Sequence, residues 1–149
     1  MEKKFLAKGR PVDPDRQALQ KGKLIEAAEA LLAEKPYPKI TIRELAQYSG
    51  VNSAMVSYYF GNKEGLFIAL LDKMSTRHFE AMKNIAKSIN PIEEFIKNTL
   101  SMLNNNNGIA RLIHSEFLEV NTEISNTFID RFPKKMASFL PQLIAKHTD

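Results

Sequence analysis

The chain of 149 residues contains no cysteine and no tryptophan. Without cysteine there is no disulfide, no thiolate zinc site and no cysteine nucleophile. No apolar run approaches the ~18 residues of a membrane span, and the basic start MEKKFLAKGRPVDPDR lacks the apolar core of a secretory signal. A cytoplasmic protein with no membrane partner is expected. Strand-like alternation is also missing. The one β-branched cluster, Ile40-Thr41-Ile42, sits where a helix should begin. His78, His114 and His147 are scattered without metal-ligand spacing, so no metal site is expected. There is no Gly-rich phosphate loop and no G-x-S-x-G. No catalytic residue and no cofactor are assigned, and the chain does not read as an enzyme.

Charge and helix periodicity remain. The net charge is +4, and residues 1–23 hold seven basic against three acidic side chains, a surplus equal to the whole. Residues 1–14 read as a basic flexible arm, attracted to phosphate or simply solvated. Apolar residues at 3.6 spacing predict a helix from about Asp15 to Glu34, ended by Pro36 and Pro38. Thr41 and Glu44 form a T-x-x-E capping box opening a second helix. Gly50 suits a positive φ before a third helix at about Asn52–Phe60. Asn62 caps a long helix expected to reach Ile89, with Asn90-Pro91 as its stop. Further helices are expected at about Pro91–Leu103, Ile109–Val120 and Ile124–Lys146, the last bent or broken by Pro133 and Pro141. The fold class is all-α.

Two short helices around Gly50, in residues 41–60, fit a helix-turn-helix, whose second helix enters the DNA major groove. The side chains suit that use. Small residues at Ser53, Ala54 and Ser57 permit close approach, and Asn52 and Ser53 can hydrogen-bond to base edges. Tyr58 and Tyr59 offer hydroxyls to phosphates and rings to sugars or thymine methyls. Arg43 projects from the first turn of the second helix, within reach of a guanine edge. Thr41 and Lys63 lie at helix N-termini, which favour phosphate. The same pattern also fits a plain helical hairpin whose tyrosines cover a surface.

The run Thr41-x-Arg43-x-Leu45-Ala46, Gly50-Val51, Tyr59-Phe60-x-Asn62-Lys63-Glu64-x-Leu66 resembles the signature of TetR-family transcriptional regulators. Leu24-Ile25-x-Ala27-Ala28-x-x-Leu31-Leu32 resembles that family's first helix, and the likeness spans about residues 17–77. It implies an N-terminal three-helix DNA-binding domain at 15–62 and a helical effector-binding and dimerisation domain at 63–149. It implies phosphate contacts by Thr41, Tyr59 and Lys63, and base contacts by Arg43 and the outer face of the third helix. Family members often carry tyrosine at the position of Ser57. The family usually continues with two further helices that pair with a second subunit, and the chain is expected to lack them.

The resemblance implies a ligand-responsive repressor, a homodimer on palindromic double-stranded operator DNA, released by a small-molecule effector. Met74, Met102, His114, Phe117 and Phe132 are the candidate effector contacts, methionine being adaptable to varied ligands. The alternative is a helical adaptor that binds a protein partner through its Met and Phe surfaces, without DNA.

Overall fold

The computed structural model describes residues 13–105, 108, 111–112 and 122–145. Helix α1 spans Pro14–Glu34. Asp13 starts it: its Oδ1 accepts from the N–H groups of Asp15 and Arg16 at 3.1 and 3.2 Å, and Pro14 has no N–H to leave unpaired. Extended backbone at Lys35 and Pro36 ends it. A 3₁₀ turn, Tyr37–Lys39, then leads to α2, Ile42–Ser49. The capping box expected of Thr41 and Glu44 is present in full. Gly50 adopts φ 67°, a left-handed conformation that costs other residues strain.

Helix α3 spans Ala54–Phe60, two residues shorter at its start than the periodicity predicts. The cause is local. Asn52 Oδ1 accepts from Ala54 N at 2.9 Å, a turn that competes with helix at Asn52 and Ser53. Gly61, at φ 81°, leads to α4, Lys63–Ile85, whose Asn62 cap accepts from Gly65 N at 2.7 Å. Gly65 is required by packing: a Cβ there would lie 2.0 Å from the Phe60 carbonyl oxygen. The end of α3 and the start of α4 therefore touch backbone to backbone.

Leu24, Ala27, Ala28, Leu31 and Leu32 of α1 face Leu45 of α2, Val56 of α3 and Leu66, Phe67, Leu70 and Leu71 of α4 in one buried cluster. Each fully buried Leu or Phe contributes about 1.5–3 kcal/mol relative to an exposed one. That burial orients two helices too short to be stable alone. The same cluster continues through Met74 to Leu112, Ile124 and Phe132, so α4 is the spine shared by both halves of the chain.

Helix α4 stops at Ile85, short of the expected Ile89. Ser88 N donates to Ile85 O at 2.9 Å and Lys87 N to Asn84 O at 3.1 Å, a tight turn that leaves Ile89 96% exposed. Pro91 disfavours helix at Asn90 and starts α5, Pro91–Asn105. The expected last helix is two: α6, Glu123–Arg131, and α7, Pro133–Ala145. Pro133 makes the break, since its ring cannot continue the preceding helix and suits the first turn of the next. Pro141 is accommodated inside α7. Only Arg111 and Leu112 of the expected Ile109–Val120 helix are described, and the rest of it lies outside the described residues.

Candidate nucleic-acid interface

Val51 and Val56 point into the core, and Phe60 packs partly against it. Asn52, Ser53, Ala54, Ser57 and Tyr58 are left exposed on the outer side of α3, as expected, with Tyr58 64% accessible. Arg43 is exposed on the first turn of α2. α2 and α3 are held against α1 and α4 through Leu45 and Val56, which fixes which of their side chains are left outside. The outer face of α3 carries small and polar groups, a surface suited to the floor of a DNA groove.

Other candidate residues are already engaged within the fold. The Thr41 hydroxyl accepts from Glu44 N at 3.2 Å and donates to Glu44 Oε2 at 2.9 Å. Lys35 pairs with Glu44, and this hydrogen bond, followed by those from Thr41, lowers the Glu44 pKa to about 2. The carboxylate therefore stays charged and neutralises the cation beside the cap. The Lys63 ammonium donates to the carbonyl oxygens of Ile40 and Tyr37, at 2.9 and 3.2 Å, and lies 4.2 Å from the centre of the Tyr37 ring. It ties the start of α4 to the turn before α2. The Asn52 amide oxygen serves the α3 turn, which leaves its NH2 as the group for a base or phosphate.

Tyr59 is turned toward α1. Its hydroxyl hydrogen-bonds to Gln20 Oε1 at 2.6 Å, and Lys21 Nζ lies 5.5 Å from its ring centre. Asp13, Arg16, Gln17 and Gln20 of α1 and Asn52, Met55, Tyr58 and Tyr59 line a groove of about 570 Å³. The sequence reading missed this contribution of α1. Its signal was the polar spacing Arg16–Gln20 and Gln17–Lys21, one helical turn apart, ahead of the apolar stripe.

The candidate effector residues separate. Met74 and Phe132 are 4% and 7% exposed and belong to the continuous core. Met102 lies on α5, where only the backbone is described, and His114 and Phe117 lie outside the described residues. His78, not among the candidates, is buried beside them, with ring centroids 6.1 Å from Phe132 and 5.1 Å from Phe79. Burial lowers its pKa, favouring the neutral imidazole. Among the described residues no group of acidic and histidine side chains could hold a metal, and no helix is long and apolar enough to cross a membrane.

Two short helices about a left-handed glycine, braced by α1 and α4 and presenting the outer face of α3, make a helix-turn-helix module. Residues 24–70 match the family described as bacterial regulatory proteins, tetR family, and this part of the chain is a domain of that family. The chain is 27% identical over 118 residues to the probable HTH-type transcriptional regulator YttP of Bacillus subtilis, covering 73% of this chain and 57% of that protein. It is 28% identical over 79 residues to the HTH-type transcriptional regulator EthR of Mycobacterium tuberculosis, covering 53% of this chain and 35% of that protein. The chain thus spans little more than half, or about a third, of these relatives' lengths. The crystal structure of HlyIIR, a hemolysin II transcriptional regulator, superposes with a TM-score of 0.65 at 23% identity, over 87% of this chain and 73% of that one. That likeness extends the shared fold beyond the helix-turn-helix into the second half.

Proposed function

We propose that the chain is a transcriptional regulator that reads double-stranded DNA through the outer face of α3. The observation that carries this is the exposed row Asn52, Ser53, Ala54, Ser57 and Tyr58 over a buried Val56, with Arg43 exposed on the first turn of α2. Arg43, Asn52, Ser53, Ala54 and Ser57 contact base edges. Thr41, Tyr58, Tyr59 and Lys63 hold the phosphate backbone, Thr41 and Lys63 through the helix N-termini they open. The protein acts in the cytoplasm as a homodimeric repressor on a palindromic operator, with half-sites about 34–36 Å apart.

Residues 63–149 take a small-molecule effector, and α4 transmits its binding. α4 begins at Lys63 in the reading head, and farther along it Asp72 and Ser75 bond to Arg131 at the end of α6. Arg111 Nη1 also donates to Ala33 O at 2.7 Å, at the C-terminal end of α1. A ligand that favours one placement of α6 against α4 shifts the head by population, not by force.

The test is selection of bound duplexes from a random-sequence pool. Enrichment of an inverted repeat with half-sites one helical turn apart supports the reading. Recovery of no sequence, with no retention of duplex at low salt, contradicts it and favours a protein-binding adaptor.

A further inference from the structure

The groove between α1 and α3 is the feature that the recognition helix does not absorb. It is polar and aromatic, it opens beside the exposed face of α3, and its α1 wall carries Arg16, exposed and without an ion-pair partner among the described residues. The one acid in its lining, Asp13, accepts the N–H groups of Asp15 and Arg16 at its Oδ1. Lys21 Nζ lies over the Tyr59 ring, 5.5 Å from its centre. The groove thus offers one cation, Arg16, with two phenols and three amides, and Asp13 Oδ1 is turned to the helix start.

We propose that this groove seats a backbone phosphate of the bound duplex, with Arg16 as its charged ligand and Gln20 as the residue that positions Tyr59. The proposal rests on the reading of α3 as the DNA-recognition helix and extends the contact surface onto α1. Arg16 and Gln20 are one turn apart on the same face of α1, so a phosphate held by Arg16 lies over the Tyr59 hydroxyl. In the free protein that hydroxyl is 2.6 Å from Gln20 Oε1, and its single proton is directed there. Rotating the Gln20 amide by half a turn brings its NH2 to the phenol oxygen. Gln20 then donates to Tyr59, and the phenol proton turns to a phosphate oxygen. No covalent bond or proton count changes; one hydrogen bond is exchanged for two. An amide is the side chain that suits this exchange, because it presents an acceptor and a donor on one pivot.

Arg16 and Gln20 have separable signatures. Arg16 displaces a counterion, so Arg16→Gln should weaken binding to all sequences alike and reduce the slope of log K against log salt by about 0.9 per subunit. Gln20 and Tyr59 are neutral, so Gln20→Ala and Tyr59→Phe should weaken binding several-fold and leave the slope unchanged. Because Gln20 acts through Tyr59, Gln20→Ala should have little further effect in the Tyr59→Phe protein. Gln20→Glu, which can accept but not donate and adds a negative charge, should lose more affinity than Gln20→Ala.

The experiment is titration of the full chain and these variants with one duplex recovered from the random pool, at several salt concentrations, with thermal melting as the check on folding. The result expected is a reduced slope for Arg16→Gln and non-additive losses for Gln20 and Tyr59. A parent-like slope and affinity for Arg16→Gln, or strictly additive losses at Gln20 and Tyr59, overturns the proposal while duplex binding by the parent stands. A parent chain that binds no duplex overturns the regulatory function itself, and the phosphate seat with it.

Discussion

The ammonium of Lys63 donates to the carbonyl oxygen of Ile40 at 2.9 Å, joining the first residue of α4 to a residue 23 positions earlier. Lys63 also donates to Tyr37 O and covers the Tyr37 ring. One charged side chain thereby fixes the approach to α2 against the start of α4, the two helix N-termini proposed to meet phosphates.

Lys63→Ala should therefore act twice. It should lower the melting temperature, because two carbonyls lose a charged donor, and it should weaken duplex binding on all sequences alike. The slope of log K against log salt should fall by about 0.9 per subunit if the ammonium also neutralises a phosphate. Loss of stability with an unchanged salt slope would make Lys63 a purely structural brace.

Arg43→Ala should leave the fold intact, since Arg43 is exposed. It should cost about 1–3 kcal/mol of specific binding and relax preference at one base position in each half-site. The check is a repeat of the random-pool selection. An unchanged preference at every position would remove Arg43 from the base-reading set.

The α2 cap should show in the acid branch of stability. Its hydrogen bonds to Lys35 and Thr41 hold Glu44 at about 2, below its ordinary value of 4.5. A depressed carboxylate contributes stability that is fully present above its unfolded pKa and is lost as pH falls through the folded value. The gap in urea midpoint between the parent and Glu44→Gln should thus narrow as pH drops from about 4.5 to about 2. Parallel profiles over that window would show that the pair contributes nothing. Thr41→Ala should cost about 0.5–2 kcal/mol through loss of the same cap.

Gly65→Ala should be among the most damaging single changes. Its Cβ would sit 2.0 Å from a backbone oxygen that has no flexible side chain to yield. The α3–α4 junction must open, at a cost of about 1–3 kcal/mol or more. Thermal melting measures this, and a variant as stable as the parent would show that the junction is looser than its geometry.

What could be read from the sequence was local in origin. The Thr41–Glu44 box, Gly50 and the Asn62 cap are signals confined to four or five residues, and each forms as read. The outer face of α3 follows from Val51, Val56 and Phe60 lying together on the inner side. The end of α4 was misread because Ile89 continues an apolar rhythm, while the tight turn at Asn84–Ser88 takes the chain out of helix before it. The contacts that most constrain the site were out of reach. Lys63 with Ile40, and Tyr59 with Gln20 across 39 residues, are tertiary pairings that no helical period records. The effector residues were illegible for another reason: Met74 and Phe132 have the same apolar character whether they line a pocket or fill a core.

The most direct test of the central claim is a map of backbone amide shifts in the full chain as the selected duplex is added. Recognition through α3 predicts that the perturbed amides concentrate at Thr41–Arg43, Asn52–Tyr59 and Lys63, with Arg16 and Gln20 joining them, while most of α5 and α7 stays unchanged. Perturbations confined to α5, α6 and α7, or a spectrum indifferent to duplex, would contradict it.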